Sequence, residues 1–314
     1  MISRYRLKAR GFLNSVSNRR EFEGVLIRVN GGYGCIHPWP ELGDPPLEKC
    51  LADLAGQRCW PLVRRALRCA EFDSVARQFE HSLFEEMEVP DSHATLSMAR
   101  AEGVAHAVEA GFTTIKLKAG RNPAAETLFL NQMAAEHPAL KWRLDFNESL
   151  DAEAFAAFVN LLAPATRGAI DFVEDPCPYA DGVWKDLQRQ TGIRFAVDRE
   201  ASTQSAAARV MVIKPAIDEP FLLAEAALAN QQRVILTSYM EHPVGQTFAA
   251  WEAARLSLQF PGLVGTCGLQ THHLFEPDTF SEWLGPWLPV FQPPAGFGLG
   301  FDELLDALPW SPLC

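Results

Sequence analysis

The sequence lacks the patterns that mark proteins of membranes and nucleic acids. No run of lysine and arginine offsets its formal charge of −11, so we predict no nucleic-acid partner. No uninterrupted apolar stretch reaches the roughly 18 residues that a membrane span requires, so we predict no membrane partner.

Cysteine is also used sparingly. The seven cysteines include no Cys-x-x-Cys pair, and an odd set without metal-ligand spacing is typical of reduced thiols. Residues 1–8 alternate polar and apolar side chains and do not form the apolar core of a signal peptide. We therefore expect a cytoplasmic protein.

Two motifs of common enzyme classes are missing. No Gly-x-Gly-x-x-Gly fingerprint is present, and the glycine-rich segment 31–34 has no helix pattern directly after it. We expect a turn there rather than a phosphate-binding loop, which disfavours an NAD-linked dehydrogenase. No Gly-x-Ser-x-Gly elbow occurs either, which disfavours a serine hydrolase.

The apolar content of the chain is sufficient for a large core, since 48% of its 314 residues are hydrophobic and 21% are charged. Residues 1–90 begin with strand-like alternation and continue with helical spacing, so they predict a small α+β domain. Over residues 91–275, short apolar runs alternate with amphipathic helices, which is typical of a parallel sheet built from βα units. We expect the tail, 276–314, to pack back on the first domain.

Eight strands in this middle part favour a closed barrel over an open sheet. The strands are predicted near 93–97, 113–118, 141–146, 169–174, 194–198, 210–214, 233–238 and 263–268. The helices between them are predicted at 99–110, 123–136, 151–162, 181–190, 202–208, 219–230 and 246–257. In such a barrel the carboxyl ends of the strands meet at one mouth, where active sites are built.

Single charged residues end successive strands of this predicted barrel. Lys116 and Lys118 close one apolar run, and alternation places both side chains on the same face, which in a barrel is the interior. Later strands end in Asp145, Glu174, Asp198 and Lys214. The alternatives are a Lys-x-Lys pair on a solvent-facing edge, and acids that cap helices or pair with arginines. The whole series favours an active site over these alternatives.

Three acids on neighbouring strands supply oxygen ligands in the number that suits Mg²⁺, with Mn²⁺ as a substitute. Ammonium groups as close as those of Lys116 and Lys118 lower each other's pKa, and partial burial acts in the same direction. A lysine of this kind can remove a proton from a carbon acid. Lys214, across the predicted barrel, would be a second acid/base or a cation that stabilises negative charge.

The motifs, in this order, resemble the enolase superfamily and, more narrowly, its o-succinylbenzoate synthase family. They are Ile-Lys-Leu-Lys-Ala-Gly (115–120), Arg-Leu-Asp-Phe-Asn-Glu-Ser (143–149), Phe-Val-Glu-Asp-Pro (172–176), Ala-Val-Asp (196–198) and Val-Ile-Lys-Pro (212–215). The resemblance covers almost the whole chain. It implies an α/β fold, a (β/α)7β modified TIM barrel, with an α+β capping domain formed by the N-terminal region and the C-terminal tail. It also implies a mobile loop near 11–21.

The resemblance further implies a Mg²⁺-dependent lyase, a hydro-lyase of menaquinone biosynthesis that acts on a small carboxylate. It would convert 2-succinyl-6-hydroxy-2,4-cyclohexadiene-1-carboxylate to 2-succinylbenzoate. Lys118 would remove the proton α to the carboxylate, Lys214 would stabilise the enediolate, and Lys116 would tune Lys118. The metal ligands would be Asp145, Glu174 and Asp198. The substrate contacts would be Arg143, Asn147 and Ser238.

The chain departs from the family pattern at a few positions. Arg199 follows the third acid where the family usually has Glu, and Glu200 comes next. Cys35 and His37 stand where Glu and Ser are common, and Gln270 stands in place of Asp. These departures concern the surroundings of the site and the cap rather than the lysines and acids themselves.

Two other functions stay open at this point. An N-acylamino-acid racemase or dipeptide epimerase of the same superfamily uses the same residues, because two opposed lysines can exchange a proton on either face. The short chain and the overall resemblance favour the synthase. A non-catalytic binding barrel is the alternative from another class, and the presence of all the lysines and acids argues against it.

Overall fold

The first part of the chain is a three-stranded antiparallel sheet followed by two helices. The computed structural model describes residues 1–11, 13, 19–199 and 201–313, and most of the predicted mobile loop lies outside these residues. The strands, in the order β1–β2–β3, are β1 (Ile2–Lys8), β2 (Glu21–Val29) and β3 (Gly32–Ile36). After a short 3-10 helix at Pro40–Leu42 come α1 (Leu47–Ala55) and α2 (Pro61–Gln78).

Strand β3 and helix α2 are in backbone contact. A Cβ atom at Gly34 would lie 2.1 Å from the carbonyl oxygen of Ala66, so only glycine permits this approach. The turn predicted over 31–34 is wrong beyond its first residue. The chain reverses at Asn30 and Gly31, whose φ angles are 51° and 86°, and β3 begins directly afterwards.

Seven parallel strands, paired in chain order, form the barrel sheet. They are β4 (Ala94–Leu96), β5 (Thr114–Lys118), β6 (Lys141–Asp145), β7 (Ile170–Glu174), β8 (Phe195–Val197), β9 (Val210–Ile213) and β10 (Arg233–Leu236). The predicted eighth strand, 263–268, pairs through isolated bridges only. Val264 and Gly268 bridge to the β10 side, and Cys267 bridges to Ser92 just before β4, so this segment closes the barrel.

Helices separate most of these strands and also follow the last one. They are α3 (Ala101–Glu109), α4 (Pro123–Glu136), α5 (Ala152–Leu161), α6 (Pro164–Ala169), α7 (Asp181–Thr191), α8 (Pro220–Ala229), α9 (Pro243–Gln259), α10 (Thr279–Trp283) and α11 (Asp302–Asp306), with a 3-10 helix at His272–Leu274. None of the helices in the described ranges is both long and apolar enough to cross a membrane.

The helix predicted at 202–208 is wrong, because this segment forms turns. The hydroxyls of Ser202 and Ser205 are 3.3 Å apart, and the Ser205 hydroxyl also accepts a hydrogen bond from the Ser202 N–H. Local bonds of this kind compete with helix formation.

The C-terminal tail returns to the first sheet. Ile2 and Ser311 exchange two main-chain hydrogen bonds of 2.8 and 2.9 Å, and the rings of Tyr33 and Trp310 pack with centroids 5.4 Å apart. The tail therefore contributes to the cap. The domain boundaries near residues 90 and 275 stay a prediction.

The barrel interior has an apolar layer beneath its charged end. This layer consists of Phe172, Ala196, Val210, Val212 and Ile235. Because side chains alternate along a strand, Glu174 lies above Phe172 and Asp198 above Ala196 on the same face. The charged strand ends thus face the barrel axis over an apolar floor.

Candidate active site

Five successive strands end in charged side chains at one mouth. Lys118 pairs in register with Asp145, and Asp145 pairs with Glu174, so these three residues lie side by side on β5, β6 and β7. Asp198 directly follows β8, and Lys214 directly follows β9. The structure therefore brings together the lysines and acids singled out in the sequence.

Two lysines contact the first two acids. Lys116 Nζ lies 2.6 Å from Glu174 Oε1 and 3.0 Å from Asp145 Oδ2. Lys118 Nζ lies 3.4 Å from the same Asp145 oxygen. One ammonium group is thus shared by two carboxylates, while the second is held by a longer contact.

Lys214 pairs with the third acid. Its Nζ lies 2.5 Å from Asp198 Oδ2, and its main-chain N–H donates a 2.6 Å hydrogen bond to Asp218. Burial acts to lower the pKa of Lys214, but the charge and hydrogen bond of Asp198, together with the charge of Glu174, outweigh burial and raise it. Asp198 Oδ1 is buried and has no hydrogen-bond partner in the described part of the chain.

Opposite charges also dominate at Lys116. Burial acts to lower its pKa, but the charges of Asp145 and Glu174 outweigh burial and raise it. The predicted lowering of the pKa by the second ammonium group is therefore wrong for Lys116. The prediction omitted carboxylates from other strands, which lie within 3.0 Å of this Nζ.

Negative charge is concentrated at the mouth. Burial and the charge of Asp145 raise the pKa of Glu174 well above its usual range. Burial also acts to raise the pKa of Asp145, but the two adjacent lysines outweigh it and hold that pKa low. Burial and the charge of Asp198 raise the pKa of neighbouring Asp175 to about 8. An additional cation in this cluster would be stabilised by these acids.

The donor set fits a hard divalent cation. Among the described residues, no three acidic, histidine or cysteine side chains already surround a common metal position, and ammonium groups contact the carboxylates instead. The shared contact of Lys116 shows that Asp145 and Glu174 can hold one positive charge between them. The partnerless oxygen of Asp198 adds a third carboxylate of the type that Mg²⁺ prefers.

Arg143 lies inside the barrel, two residues before Asp145 on the same strand. Its Nε donates a 2.9 Å hydrogen bond to Asp171, and its Nη1 lies 2.8 Å from His93 Nδ1 and 2.6 Å from the Thr266 carbonyl oxygen. The side chain is 2% exposed. These contacts hold the side chain in the barrel interior, and its contact with substrate stays a prediction.

The other two predicted substrate contacts lie at the mouth. Asn147, at a φ of 48°, donates from its side-chain amide to Asp145 Oδ1 over 2.7 Å. Ser238 is buried, and its hydroxyl lies 2.6 Å from that of Thr271, which donates to Gln246. Asn147 therefore orients an acid of the cluster, whereas Ser238 belongs to a buried polar network.

A segment of the cap reaches the mouth through contacts that the sequence did not predict. Trp39 Nε1 donates a 2.9 Å hydrogen bond to the carbonyl of Tyr239, and the Tyr239 hydroxyl donates a 3.0 Å bond to Asp44. Tyr239 is the neighbour of Ser238. The only sequence signal was an aromatic and an acidic residue within a proline-rich irregular stretch, which has no periodicity to interpret.

An open groove of about 1280 Å³ borders the mouth. Its lining includes Arg10 and Leu13 of the cap, together with Thr95 and His273. Thr95 pairs in register with Lys116, but the lysines and acids at the strand ends do not themselves line the groove.

Comparison with known proteins identifies the family. Residues 1–76 match the model "O-succinylbenzoate synthase, N-terminal domain", and residues 99–218 match the model "Enolase C-terminal domain-like". An o-succinylbenzoate synthase of Bdellovibrio bacteriovorus is 32% identical over 332 residues, which cover 99% of this chain and 97% of the relative. This chain belongs to the o-succinylbenzoate synthase family.

Family membership confirms the predicted superfamily and the predicted enzyme class, a lyase. An o-succinylbenzoate synthase of Salmonella typhimurium is 34% identical over 191 residues, which cover 56% of this chain and 57% of that protein. The match to the Bdellovibrio protein extends over the cap as well as the barrel.

Solved structures confirm the modified TIM barrel with its cap. The dipeptide epimerase of Enterococcus faecalis, complexed with Mg and the dipeptide L-Leu-L-Tyr, superposes with a TM-score of 0.80 at 17% identity, over 96% of this chain and 98% of the epimerase. The N-succinyl Arg/Lys racemase of Bacillus cereus superposes with a TM-score of 0.77 at 17% identity, over 98% and 97%. At this identity the likeness shows the fold alone.

Arg199 is accommodated by a local ion pair in this member of the o-succinylbenzoate synthase family. Its side chain contacts Glu148 at 3.2 Å, and its main-chain N–H donates a 2.8 Å hydrogen bond to Asp175. Glu200, the next residue, lies outside the described residues. The side chain of Arg199 is thus paired with a carboxylate from the segment that follows β6.

Cys35 and His37, the departures in the cap, both contact the hydroxyl of Tyr5, at 3.2 and 2.9 Å. Burial raises the pKa of the Cys35 thiol to about 12 and lowers the pKa of His37 to about 3. Both groups are therefore neutral near pH 7 and form a buried polar contact within the cap.

Proposed function

We propose that this chain catalyses the Mg²⁺-dependent dehydration of 2-succinyl-6-hydroxy-2,4-cyclohexadiene-1-carboxylate to 2-succinylbenzoate. The observation that carries the proposal is the convergence of three acids between Lys118 and Lys214 at one barrel mouth. A carbon acid beside a carboxylate is very weak, and its conjugate base forms only where cations are already in place. Three lysines and a cation-binding set of acids meet that requirement.

Lys118 is the best placed of the lysines to act as the base. Its contact with a carboxylate is 3.4 Å, compared with 2.6 Å for Lys116 and 2.5 Å for Lys214. The Lys118 amine would take the proton from the α-carbon. As an ammonium group it would then give that proton to the departing hydroxyl, which leaves as water. Both bonds break on one face of the ring, and the ring becomes aromatic.

Lys116 and Lys214 would remain protonated, because neighbouring acids raise the pKa of each. Lys214 directly follows β9, which is separated from the strand of Lys118 by β6, β7 and β8, and would stabilise negative charge on the enediolate from that side. Lys116 would orient the two acids that it contacts and add positive charge near Lys118.

Asp145, Glu174 and Asp198 would hold Mg²⁺, with Mn²⁺ as a substitute. When bound, the divalent cation supplies a Lewis acid that stabilises negative charge on the substrate carboxylate. Asn147 would fix one ligand in place through its hydrogen bond to Asp145.

Ser238, two residues after β10, would contact the substrate at the mouth. We place the reaction in menaquinone biosynthesis and in the cytoplasm. The proposed domains are a cap of residues 1–90, a catalytic barrel of residues 91–275, and a tail of residues 276–314 that completes the cap.

The proposal is tested by mixing the purified protein with Mg²⁺ and the cyclohexadiene substrate and following the ultraviolet absorbance of the diene. We expect rapid loss of the diene signal, abolished by EDTA and restored by Mg²⁺. An unchanged signal, with Mg²⁺ shown to be bound by calorimetry, would contradict the synthase reaction.

Racemisation or epimerisation of N-acylamino acids or dipeptides is the second candidate. It is favoured by the placement of Lys118 and Lys214 on strands separated by three others, since each lysine could serve one face of a substrate carbon. Exchange of the α-hydrogen of an N-succinylamino acid in deuterium oxide tests it. Exchange without diene dehydration would select this function over the synthase.

A further inference from the structure

Asp175 links the strand ends that carry the three acids. It follows Glu174 directly, is 2% exposed, and has a φ of 43°, which is unusual for a residue other than glycine. Its main-chain N–H donates to the carbonyl of Ala196 over 3.0 Å, and its own carbonyl accepts a 2.8 Å bond from the Glu148 N–H. The residue therefore joins the ends of β6, β7 and β8.

The carboxylate of Asp175 is occupied by main-chain donors. Its Oδ1 accepts a 3.1 Å hydrogen bond from the N–H of Asp198, and its Oδ2 accepts a 2.8 Å bond from the N–H of Arg199. The two oxygens thus fix the backbone of residues 198–199, which includes the third acid, Asp198. The Arg199 side chain also pairs with Glu148, so this residue is held through its side chain as well as its backbone.

The position of Asp198 depends on this support. Strand β8 is only three residues long and ends at Val197, so Asp198 lies beyond the regular ladder. Its side chain makes one ion pair, to Lys214, and its second oxygen has no partner in the described part of the chain. The two hydrogen bonds to Asp175 are what orient its backbone towards the mouth.

We propose that Asp175 is a positioning residue that sets the geometry of Asp198 for a divalent cation. This inference rests on the proposed function, because it assumes that the three acids bind Mg²⁺. Residues that orient metal ligands typically change metal affinity by about 10- to 100-fold when they are replaced.

Two variants test the placement of the two acceptor oxygens. Asp175→Asn replaces one of these oxygens by an amide nitrogen, which cannot accept a hydrogen bond from a main-chain N–H. Asp175→Glu keeps both oxygens but displaces them by one methylene group. We expect each variant to raise the Kd for Mg²⁺, measured by titration calorimetry with Mg²⁺ alone, by about 10- to 100-fold.

Matched controls define the comparison. Asp186→Asn removes an acid of a surface pair on α7, 72% exposed, and is expected to leave the Kd unchanged. Arg199→Ala removes the pair with Glu148 but keeps the main-chain N–H, and is expected to change the Kd less than Asp175→Asn does. Circular dichroism and thermal unfolding are recorded for every variant.

The outcomes are distinct. A wild-type Kd in the folded Asp175→Glu protein would show that the placement of the two oxygens does not matter and would overturn the positioning role. Unfolding of both Asp175 variants would also overturn it, by making the residue a requirement of the fold. Wild-type protein that binds Mg²⁺ but leaves the diene unchanged would contradict the proposed reaction while the Asp175 comparison still stands. Wild-type protein that binds no Mg²⁺ would overturn both proposals.

Discussion

Lys118 Nζ and Asp145 Oδ2 are 3.4 Å apart, a longer separation than the 2.6 Å between Lys116 Nζ and Glu174 Oε1. The two lysines stand one residue apart on β5, yet one is bound closely between two acids and the other is held at a distance. This difference distinguishes the proposed base from the lysine that supports the acids.

Replacement of this base gives the first prediction. Lys118→Ala is expected to lower kcat by about 10²- to 10⁴-fold, the contribution of a positioned general base. Binding of Mg²⁺ is expected to persist, because Lys118 is not a ligand. Steady-state kinetics and calorimetry measure the two effects. Lys185→Ala, a surface lysine 56% exposed, is the control, and substantial activity in Lys118→Ala would reassign the base.

The second prediction concerns the ion pairs of Arg65, which joins the cap to the barrel. Its guanidinium lies 2.9 Å from Glu241, 3.2 Å from Glu252 and 3.1 Å from the Gly245 carbonyl oxygen, all in a buried setting. Arg65→Met leaves two buried carboxylates without this partner, so we expect the free energy of unfolding to fall by about 3–5 kcal/mol. Urea denaturation measures it.

The neighbouring arginine is a matched control for that experiment. Arg64 pairs with Glu219, and both side chains are 50% exposed. Arg64→Ala is expected to cost less than about 1 kcal/mol, as exposed ion pairs do. Equal losses of unfolding free energy in the two variants would show that the buried ion pairs of Arg65 contribute no more to stability than an exposed pair does.

The third prediction is a loss of stability when Asp171 is replaced. Asp171 lies near the amino-terminal end of β7. It accepts hydrogen bonds from Arg143 at 2.9 Å and from Arg233 at 2.8 Å. Asp171→Asn leaves the buried Arg143 without its carboxylate, and we expect a loss of about 3–5 kcal/mol in unfolding free energy. Activity per folded molecule should change little, so stability and turnover measured on the same samples check the assignment of Arg143 to the barrel interior.

The fourth prediction is a loss of stability at low pH that depends on Asp171. Burial acts to raise the pKa of Asp171, but Arg143 and Arg233 outweigh it and hold the pKa below its ordinary value. The stabilisation is therefore present above the unfolded-state pKa of about 3.9 and is lost as the pH falls through the lower folded-state pKa. Asp171→Asn should unfold with a shallower pH dependence below about pH 4. A free energy of unfolding that falls equally with pH in the wild-type protein and in Asp171→Asn would refute this prediction.

The charged end of the barrel was predictable because parallel strands impose it. Once the apolar runs ending at Lys118, Asp145 and Glu174 are assigned to neighbouring parallel strands, their ends must share a mouth. The register of the sheet places these three residues directly beside one another. No long-range information beyond strand order was needed for this part of the site.

Other features depend on partners far away in the sequence. The pKa of Lys116 is raised by acids of other strands, which the Lys-x-Lys pattern does not contain. The direction of Arg143 inside the barrel is set by Asp171, His93 and Thr266, and a strand pattern places it only on the interior face. Segment 263–268 was predicted as a strand, but it pairs through isolated bridges that its own residues do not reveal.

The backbone contact between Gly34 and Ala66 has a consequence for chimeric enzymes. Ala66 is the neighbour of Arg65, so a methyl group added at Gly34 would push against α2 beside the arginine that pairs with Glu241. Glu241, the partner of that arginine, stands three residues after Ser238. A cap grafted onto another barrel of this fold would therefore have to carry the glycine and the arginine together, and the recipient would have to supply the acid. Cap and barrel are exchangeable only as a matched pair.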